Sequence, residues 1–590
     1  MQHPLSEYPR PALRRDSFES LNGPWQYAFT KAAQFPTAWD GTIRVPYSPE
    51  APASGVGRTL QPGKWLHYHR GFTPPAGQGG RVLLHFGAVD YACAVEVNGH
   101  LAGGHRGGYW PFTLDITDSL RPGRNTLWVA VQDPTGNGTQ ARGKQTLTPG
   151  GMFYHAQSGI WQTVWLERVP DNYITELTVT PDYDARTVTV KAHTAQPGGA
   201  KNLWAVVRAG GVTIAEDWGG DEADQDGEVT LNIPEKHFFP WSPDSPFLYD
   251  LTVGTTQGDE DGFDTVHSYF ALRKWSCEPD AKGILRFCLN GKPILLNGLL
   301  DQGYWPEGLY TPPSDAAVVH ELEQVKELGF NLLRKHAKIE PQRWYYHCDK
   351  LGLIVWQDMV NGGGKMNQWY VTYLTNALLP LLRHTPDAKP LWGLLGRETE
   401  ASRESYQTEL KATVEALRCH PCIGCWVPFN EGWGQFDARA ATAALRALDD
   451  TRLIDEASGW YDQGGGDVDS RHNYFYPLRI RPGGRTVALS EYGGIAWPMP
   501  GHEPPGKTYG YGTAKDKADL TKRYKMLQWK TILPQLGRGL SALVYTQLTD
   551  VEDEVNGLFT YDRAAIKPEA AAVRSCNAAL AAEFAKATAK

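Results

Sequence analysis

The chain predicts a multidomain protein of two β-sandwiches followed by a (β/α)8 TIM barrel, and three observations carry that reading. Its 590 residues are several times the length of one typical domain. Short apolar runs of period two, broken by Gly, Pro and Asn, fill the first part to about residue 275. After about residue 276 the pattern changes to helical segments alternating with buried-type strands. The expected divisions are 1–170, 171–275 and 276–590.

In the first domain Arg81–Phe86, Cys93–His100 and Thr126–Val131 read as strands. Asn98-Gly99 marks a hairpin, because both residues accept the positive φ of a type I′ turn. Thr187–Val190, Leu203–Val207 and Leu248–Val253 have the spacing of a seven-strand immunoglobulin-like unit. Within it, the acidic run 220–226 offers cation-ligand oxygens but lacks the spacing of a Ca²⁺ loop, and is expected to be solvated.

In the third domain Ser314 caps a helix through Leu328 that Gly329 stops, ahead of a strand at Phe330–Arg334. A helix from Pro341 to Lys350, punctuated by Gly352, precedes the strand Leu353–Gln357. A helix ending near Arg418 precedes Ile423–Phe429, and one from Gln435 to Leu448 precedes Arg452–Ile454. The remaining length suits one barrel of about 250 residues plus insertions.

The formal charge of -8 arises from 58 basic and 66 acidic residues without a basic block, which argues against nucleic acid as a partner. No segment is apolar enough for a signal peptide or a membrane span, so a cytoplasmic protein with no membrane partner is expected. An assembly of identical chains is left open. Eight cysteines form no dense framework and are expected to be free thiols. Asn137-Gly138-Thr139 matches a glycosylation sequon, read as a chance loop match in a cytoplasmic protein. Cys419, Cys422 and Cys425 are spaced like metal ligands. They lead into a buried strand, however, and are expected to be structural, with no metal and no cofactor.

Two glutamates stand where a short apolar run ends: Glu431 in Val427-Pro428-Phe429-Asn430-Glu431-Gly432-Trp433-Gly434, and Glu491 in Leu489-Ser490-Glu491-Tyr492-Gly493-Gly494. Parallel barrels carry their reactive groups at the carboxyl ends of strands. A carboxyl pair there fits acid/base chemistry on a sugar, where one group must be protonated and the other ionised. Asn430 is placed to hold a sugar hydroxyl. Arg334 and His336 close the second strand, Asp358 and Asn361 follow the third, His472 and Tyr474 fall between the two acids, and Tyr545 and Gln547 lie on the last strand. All are candidate substrate-binding residues. Tyr474 is expected to hydrogen-bond Glu491 and Asp358 to bind sugar hydroxyls. Two of Trp305, Trp433, Trp460 and Trp497 are expected to form a sugar platform.

These segments resemble glycoside hydrolase family 2, the family of β-galactosidases, β-glucuronidases and β-mannosidases. Ser158–Leu166 resembles the end of that family's jelly-roll, sugar-binding sandwich, Trp241–Pro246 the late part of its immunoglobulin-like domain, and Leu289–Gly298 its opening barrel strand. The resemblance implies a retaining double displacement, with Glu491 as nucleophile, Glu431 as acid/base and Asn430 on the hydroxyl beside the anomeric carbon. It implies carboxyl groups about 5–5.5 Å apart. The Asn-x-Lys motif by which the family's glucuronidases read a sugar carboxylate is absent after Glu491, and Asn290-Gly291-Lys292 sits at the wrong end of the barrel, which disfavours a glucuronide. The segment Asp301–Pro306 lacks the usual Arg-Gly-Val-Asn-x-His continuation and would reshape the pocket floor. The expected substrate is a terminal β-galactoside, with a β-D-galactofuranoside or arabinoside next. A carbohydrate-binding protein without catalysis is the alternative of another class, and a metal or redox protein built on the cysteine run is weaker still.

Overall fold

The computed structural model describes residues 4–589 except 78, 197–202, 220–226, 256–263, 376, 377, 379–381 and 505; the acidic run 220–226 thus lies outside the described residues. The N-terminal sandwich faces a six-stranded antiparallel sheet with a four-stranded one. Between them pack Trp25, Tyr68, Val95, Val129, Leu84, Phe86 and Leu166, the inward members of the alternating strands. The hairpin at Asn98-Gly99 forms as expected, with φ of +54° and +82°. The next unit pairs a three-stranded with a four-stranded sheet, giving the seven strands of an immunoglobulin-like domain. Leu203–Ala209 and Gly227–Asn232 alternate strictly between buried and outward residues there.

The barrel comprises β1 (Leu296–Asp301), β2 (Leu332–Lys335), β3 (Ile354–Asp358), β4 (Ile423–Val427), β5 (Leu453–Ile454), β6 (Val468–Asn473), β7 (Thr486–Gly493) and β8 (Leu540–Thr546). They are parallel, in the hydrogen-bonded order β5-β4-β3-β2-β1-β8-β7-β6. An Asp467 N–H donating to the Ile454 carbonyl at 2.8 Å joins the two ends. Before β1, an antiparallel hairpin at 275–293 lies across the amino-terminal end, where Arg286 donates to the Leu536 and Leu540 carbonyls.

The helices are those the caps announce. Ser314 accepts from the Ala317 N–H at the start of α1 (Asp315–Glu327), and Gly352, at φ +73°, ends α2 (Gln342–Leu351). Thr399 caps α3 (Glu400–Leu417) and Asp437 caps α4 (Ala438–Leu448). The last of these starts three residues later than the sequence suggests. Gln435 is held in the preceding turn by donating to Asp387 and to the Tyr461 carbonyl. The helix–strand alternation is also incomplete, since loops replace helices between β5 and β6 and between β6 and β7. Pro477, Pro482, Gly483 and Gly484 deny the latter connection a helix. Among the described residues no helix is long and apolar enough to cross a membrane.

A buried ionic knot joins the first two domains. Arg15, 5% exposed, donates to Asp264 at 2.6 and 3.0 Å, to Glu167 at 3.0 Å and to the Ile174 carbonyl at 2.6 Å. Burial opposes ionisation of Glu167, but Arg10, His85 and Arg15 outweigh it and hold its carboxyl well below the usual range. A group whose pKa falls on folding stabilises the fold above its unfolded value, roughly 4.3, and loses that contribution as pH drops through the lower folded value. Arg15→Ala leaves two buried carboxylates underpaired and is expected to cost about 3–5 kcal/mol, read as a lower melting temperature at pH 7. Melting at pH 2–3 should narrow the gap between variant and parent.

Candidate active site

Strand β4 does not stop at Val427. Beyond Pro428 it resumes as Phe429–Asn430, which pairs in parallel with Ala457–Ser458. Glu431 then takes φ +52°, its N–H donating to the Ser458 carbonyl at 2.9 Å. Left-handed backbone at a non-glycine residue is uncommon, and here it turns the carboxyl over the barrel mouth. Gly432 follows at φ +71°, and a Cβ there would lie 2.2 Å from the Tyr461 ring. Glu491 is delivered more simply, from within β7 beside β6 and β8.

Arg334, at the end of β2 and fully buried, organises the floor. Its Nε and Nη2 each donate to an Asp358 oxygen at 3.0 Å, and Nη2 reaches Asn430 Oδ1 at 2.8 Å. Nη1 donates to Glu491 Oε1 and to the Ser490 carbonyl, both at 3.1 Å, and lies 3.4 Å from His472 Nε2. The planar fork thereby fixes the ends of β2, β3, β4 and β7 relative to one another.

One carboxylate oxygen of Glu431, one of Glu491 and a ring nitrogen of His472 lie within 4.8 Å of one another. His472 Nδ1 is 2.8 Å from Glu431 Oε1 and 3.6 Å from Glu491 Oε2. Tyr474 donates to Glu491 Oε2 at 2.7 Å, with Thr546 Oγ1 2.8 Å from the same hydroxyl. Burial would raise the Glu491 pKa, but the imidazole of His472, the guanidinium of Arg334, His336 and the Tyr474 hydroxyl together hold it at about 2. Glu431 is more open, its side chain 24% exposed against 7% for Glu491. One carboxyl is thus kept ionised in a cage of donors while the other faces the cavity. The grouping contains donor types that a metal accepts, but Arg334 already supplies the positive charge opposite Glu491, and we assign no ion there.

The cavity over these groups is lined by Asn430, Glu431, Glu491, His336, Tyr474 and Trp433, all singled out by the sequence. Other expectations are corrected. Asp358 is 1% exposed with both oxygens committed to Arg334 and His336, so it orients those residues and does not face a sugar. Of the four tryptophans only Trp433 lines the cavity. Trp305 is buried under the Arg563 guanidinium at 4.0 Å, Trp497 packs on Ala514 and Leu520, and Trp460 packs with Val371, Leu395 and Tyr461. Tyr545 is wedged between Tyr492 and Tyr524 in the barrel core. Gln547 is buried and accepts from the Gln302 amide at 2.9 Å. Asn361 is buried, its carbonyl accepting from the Arg142 and Gly143 N–H groups. The segment after β1 does contribute to the floor, through Gln302 and not Trp305. Cys419, Cys422 and Cys425 do not converge, each sulfur contacting a different backbone carbonyl.

The rest of the lining was not legible in the sequence. Lys144, Met152 and Phe153 come from a loop of the N-terminal sandwich laid across the barrel rim. That loop is anchored by the Asn361 carbonyl, by Gly363 donating to the Thr139 carbonyl, and by Tyr154 donating to Glu554. Met366, Val371 and Thr372 come from the long segment between β3 and α3, Tyr509 and Tyr511 from the loop after β7, and Glu554 from the loop after β8. Burial and then the Lys144 ammonium push the His336 pKa down, and both residues line the cavity. Among the described residues no carboxylate forms an ion pair with Lys144. The Tyr509-Gly510-Tyr511-Gly512 run is the one sequence signal that resembles the aromatic, glycine-rich turns around the two acids.

Comparison with known proteins agrees with this architecture domain by domain. Residues 58–162 match the glycosyl hydrolase 2 galactose-binding domain-like model, 172–273 the glycosyl hydrolases family 2 model, and 283–474 that family's TIM barrel domain. A β-galactosidase of Thermoanaerobacter pseudethanolicus is 24% identical over 451 residues, 72% of this chain and 53% of that protein. A putative β-glucuronidase of Formosa agariphila is 26% identical over 311 residues, 51% of this chain and 35% of that one. The chain therefore spans about half or less of the length of these curated relatives. Among solved structures, a Bifidobacterium dentium β-glucuronidase superposes with a TM-score of 0.73 at 18% identity, covering 98% of this chain and 99% of that one. An Eisenbergiella tayi β-galacturonidase superposes with a TM-score of 0.69 at 18% identity, covering 97% of this chain and 99% of that one. With all three domain models matched in order, the chain belongs to glycoside hydrolase family 2.

Proposed function

We propose that this protein is an exo-acting, retaining β-glycosidase in which Glu491 is the nucleophile and Glu431 the acid/base. The observation that carries the reading is the close approach of the two carboxyls, oxygens within 4.8 Å, with one locked ionised by Arg334 and Tyr474. A retaining pair sits about 5–5.5 Å apart, whereas an inverting pair needs about 6.5–9.5 Å to admit a water between sugar and base. In the first step Glu491 forms a bond to the anomeric carbon as the glycosidic C–O bond breaks, and Glu431 gives its proton to the departing oxygen. In the second, Glu431 takes a proton from water as that water attacks the same carbon and frees Glu491. Asn430, oriented by Arg334, is placed for the hydroxyl beside the reacting carbon. His336, held by Asp358, presents its other nitrogen toward the cavity.

A terminal β-galactoside is the first substrate reading, in keeping with relatives named β-galactosidase. Lys144 favours a second reading, a β-linked uronic acid. An ammonium in the cavity with no carboxylate partner among the described residues could meet a sugar carboxylate, arriving from the sandwich instead of from the barrel loop that carries the glucuronidases' motif. Solved neighbours named β-glucuronidase and β-galacturonidase are compatible with it.

Glu491→Ala is expected to abolish release of nitrophenol from synthetic glycosides with the fold intact by circular dichroism; substantial residual turnover would sink the assignment. Glu431→Gln should lower kcat by about 10²–10⁴-fold on substrates with poor leaving groups and far less on dinitrophenyl glycosides, which need no proton. A panel of nitrophenyl galactopyranoside, galactofuranoside, arabinoside, glucuronide and galacturonide separates the sugars. If a uronide is the substrate, Lys144→Gln should raise its KM by about tenfold or more and leave neutral glycosides unaffected. Failure of every glycoside would favour a binding protein without catalysis.

A further inference from the structure

Behind the acid/base lies a buried chain of exchangeable protons that the double displacement does not use. From Glu431 Oε1 it runs to His472 Nδ1 at 2.8 Å, and from His472 Nε2 to Ser458 Oγ at 2.9 Å. It continues from Ser458 to Ser490 Oγ at 2.9 Å, from Ser490 to Ser470 Oγ at 2.6 Å, and from Ser470 to Asp455 Oδ2 at 2.7 Å. His472, Ser458, Ser490, Ser470 and Asp455 are each 3% exposed or less. They converge from β6, β7 and the segment that follows β5. Asp455 Oδ1 is itself buried without a hydrogen-bond partner among the described residues.

We propose that Asp455 and Glu431 share one proton through this relay, so that the acid/base and a carboxyl remote from the substrate titrate as one unit. The chain has two self-consistent arrangements. In one, Asp455 is protonated and the hydroxyls donate toward His472: Asp455 to Ser470, Ser470 to Ser490, Ser490 to Ser458 once it turns from the orientation in which it accepts from Ser458, and Ser458 to Nε2, with Nδ1–H donating to ionised Glu431. In the other, each hydrogen has moved one step along. Glu431 then carries the proton, donates to Nδ1, and Asp455 is ionised with the hydroxyls donating toward it. The two differ by five short proton shifts, with no net change in charge and no outside reactant. Serine and imidazole are the side chains that allow this, because each can donate and accept at once.

The charged and titratable groups around the relay include Arg334 and Asp358 on β2 and β3, Cys425 on β4, Glu491 on β7, Arg485 before it and, toward Glu431, Tyr474 and Tyr511. Arg334 bears directly on the second arrangement, since an ionised Asp455 needs a nearby cation. Burial raises the Asp455 pKa to about 6 despite that cation, so its proton is exchangeable near neutrality. Ionised Asp455 disfavours loss of the Glu431 proton, and the relay thereby extends the pH range in which the acid is loaded.

The inference rests on the assignment of Glu431 as acid/base, and two measurements separate the fates of the two ideas. In wild type and in the variants Asp455→Asn, Ser490→Ala and Ser470→Ala, the pH dependence of kcat/KM on a nitrophenyl glycoside is recorded. Each variant is expected to move the basic limb to lower pH by about half a unit or more, Asp455→Asn combined with Ser490→Ala moving it no further than either alone. Serine variants that lose activity equally at every pH, with the limb unmoved, would overturn the relay. Independently of turnover, the free protein with ¹³C-labelled Asp and Glu carboxyls is titrated by NMR. Glu431 and Asp455 should each show both transitions of a coupled pair, and Ser490→Ala should reduce each to one. Independent single titrations in the wild type would overturn the proposal even if Glu431 is confirmed as the acid. His472→Asn, which retains one nitrogen near Nδ1 but cannot reach Ser458, is expected to behave as the serine variants do.

Discussion

The site depends on a buried guanidinium. Arg334 has no contact with solvent, and an isolated charge in such a place would cost several kcal/mol or more. Asp358 and Glu491 provide the compensation, and the Asn430 carbonyl and the Ser490 backbone take up donors that remain. These partners lie on three strands besides the one that carries Arg334. The charge balance of one side chain therefore sets the relative positions of Asn430, Glu491 and the loop that bears Glu431, and a shift in any strand end would leave a buried charge exposed to low dielectric without a partner.

The same constraint divides the labour of two chemically identical residues. Glu491 is surrounded by donors that gain from its negative charge, whereas Glu431 meets a single imidazole nitrogen and the open cavity. Environment keeps Glu491 a standing anion and leaves the Glu431 side chain facing the cavity. Asp358 contributes without touching the cavity, by holding both Arg334 and His336 in place.

Both acids were legible because the sequence states the backbone they need. Gly432 and Gly434 permit the left-handed turn after Asn430, and the run ending at Glu491 reads as a buried strand. The order of the three domains was legible for the same reason, since period and punctuation are local. What was not legible depends on which side of a wall a residue faces. Trp305, Trp460 and Trp497 stand in segments as aromatic as the one that bears Trp433, yet their rings pack into the protein, because the loops that carry them fold back onto Arg563, Leu395 and Leu520. Asp358 and Gln547 were misread similarly, as a strand end admits both inward and upward side chains. Lys144 carried no signal at all: its position depends on contact between two domains far apart in the chain.

The loop that delivers Lys144, Met152 and Phe153 is tied to the barrel through the Asn361 carbonyl, Gly363 and Glu554. Part of the cavity wall is thus an interface between two domains, whose buried residues Ala141, Tyr154 and Trp161 pack into the barrel core. A change in how the sandwich sits on the barrel would alter the wall at Lys144, Met152 and Phe153 without touching the partners of Arg334. Under the proposed function, the fit of a sugar would then depend in part on this interface, apart from the contacts that hold Asn430 and Glu491.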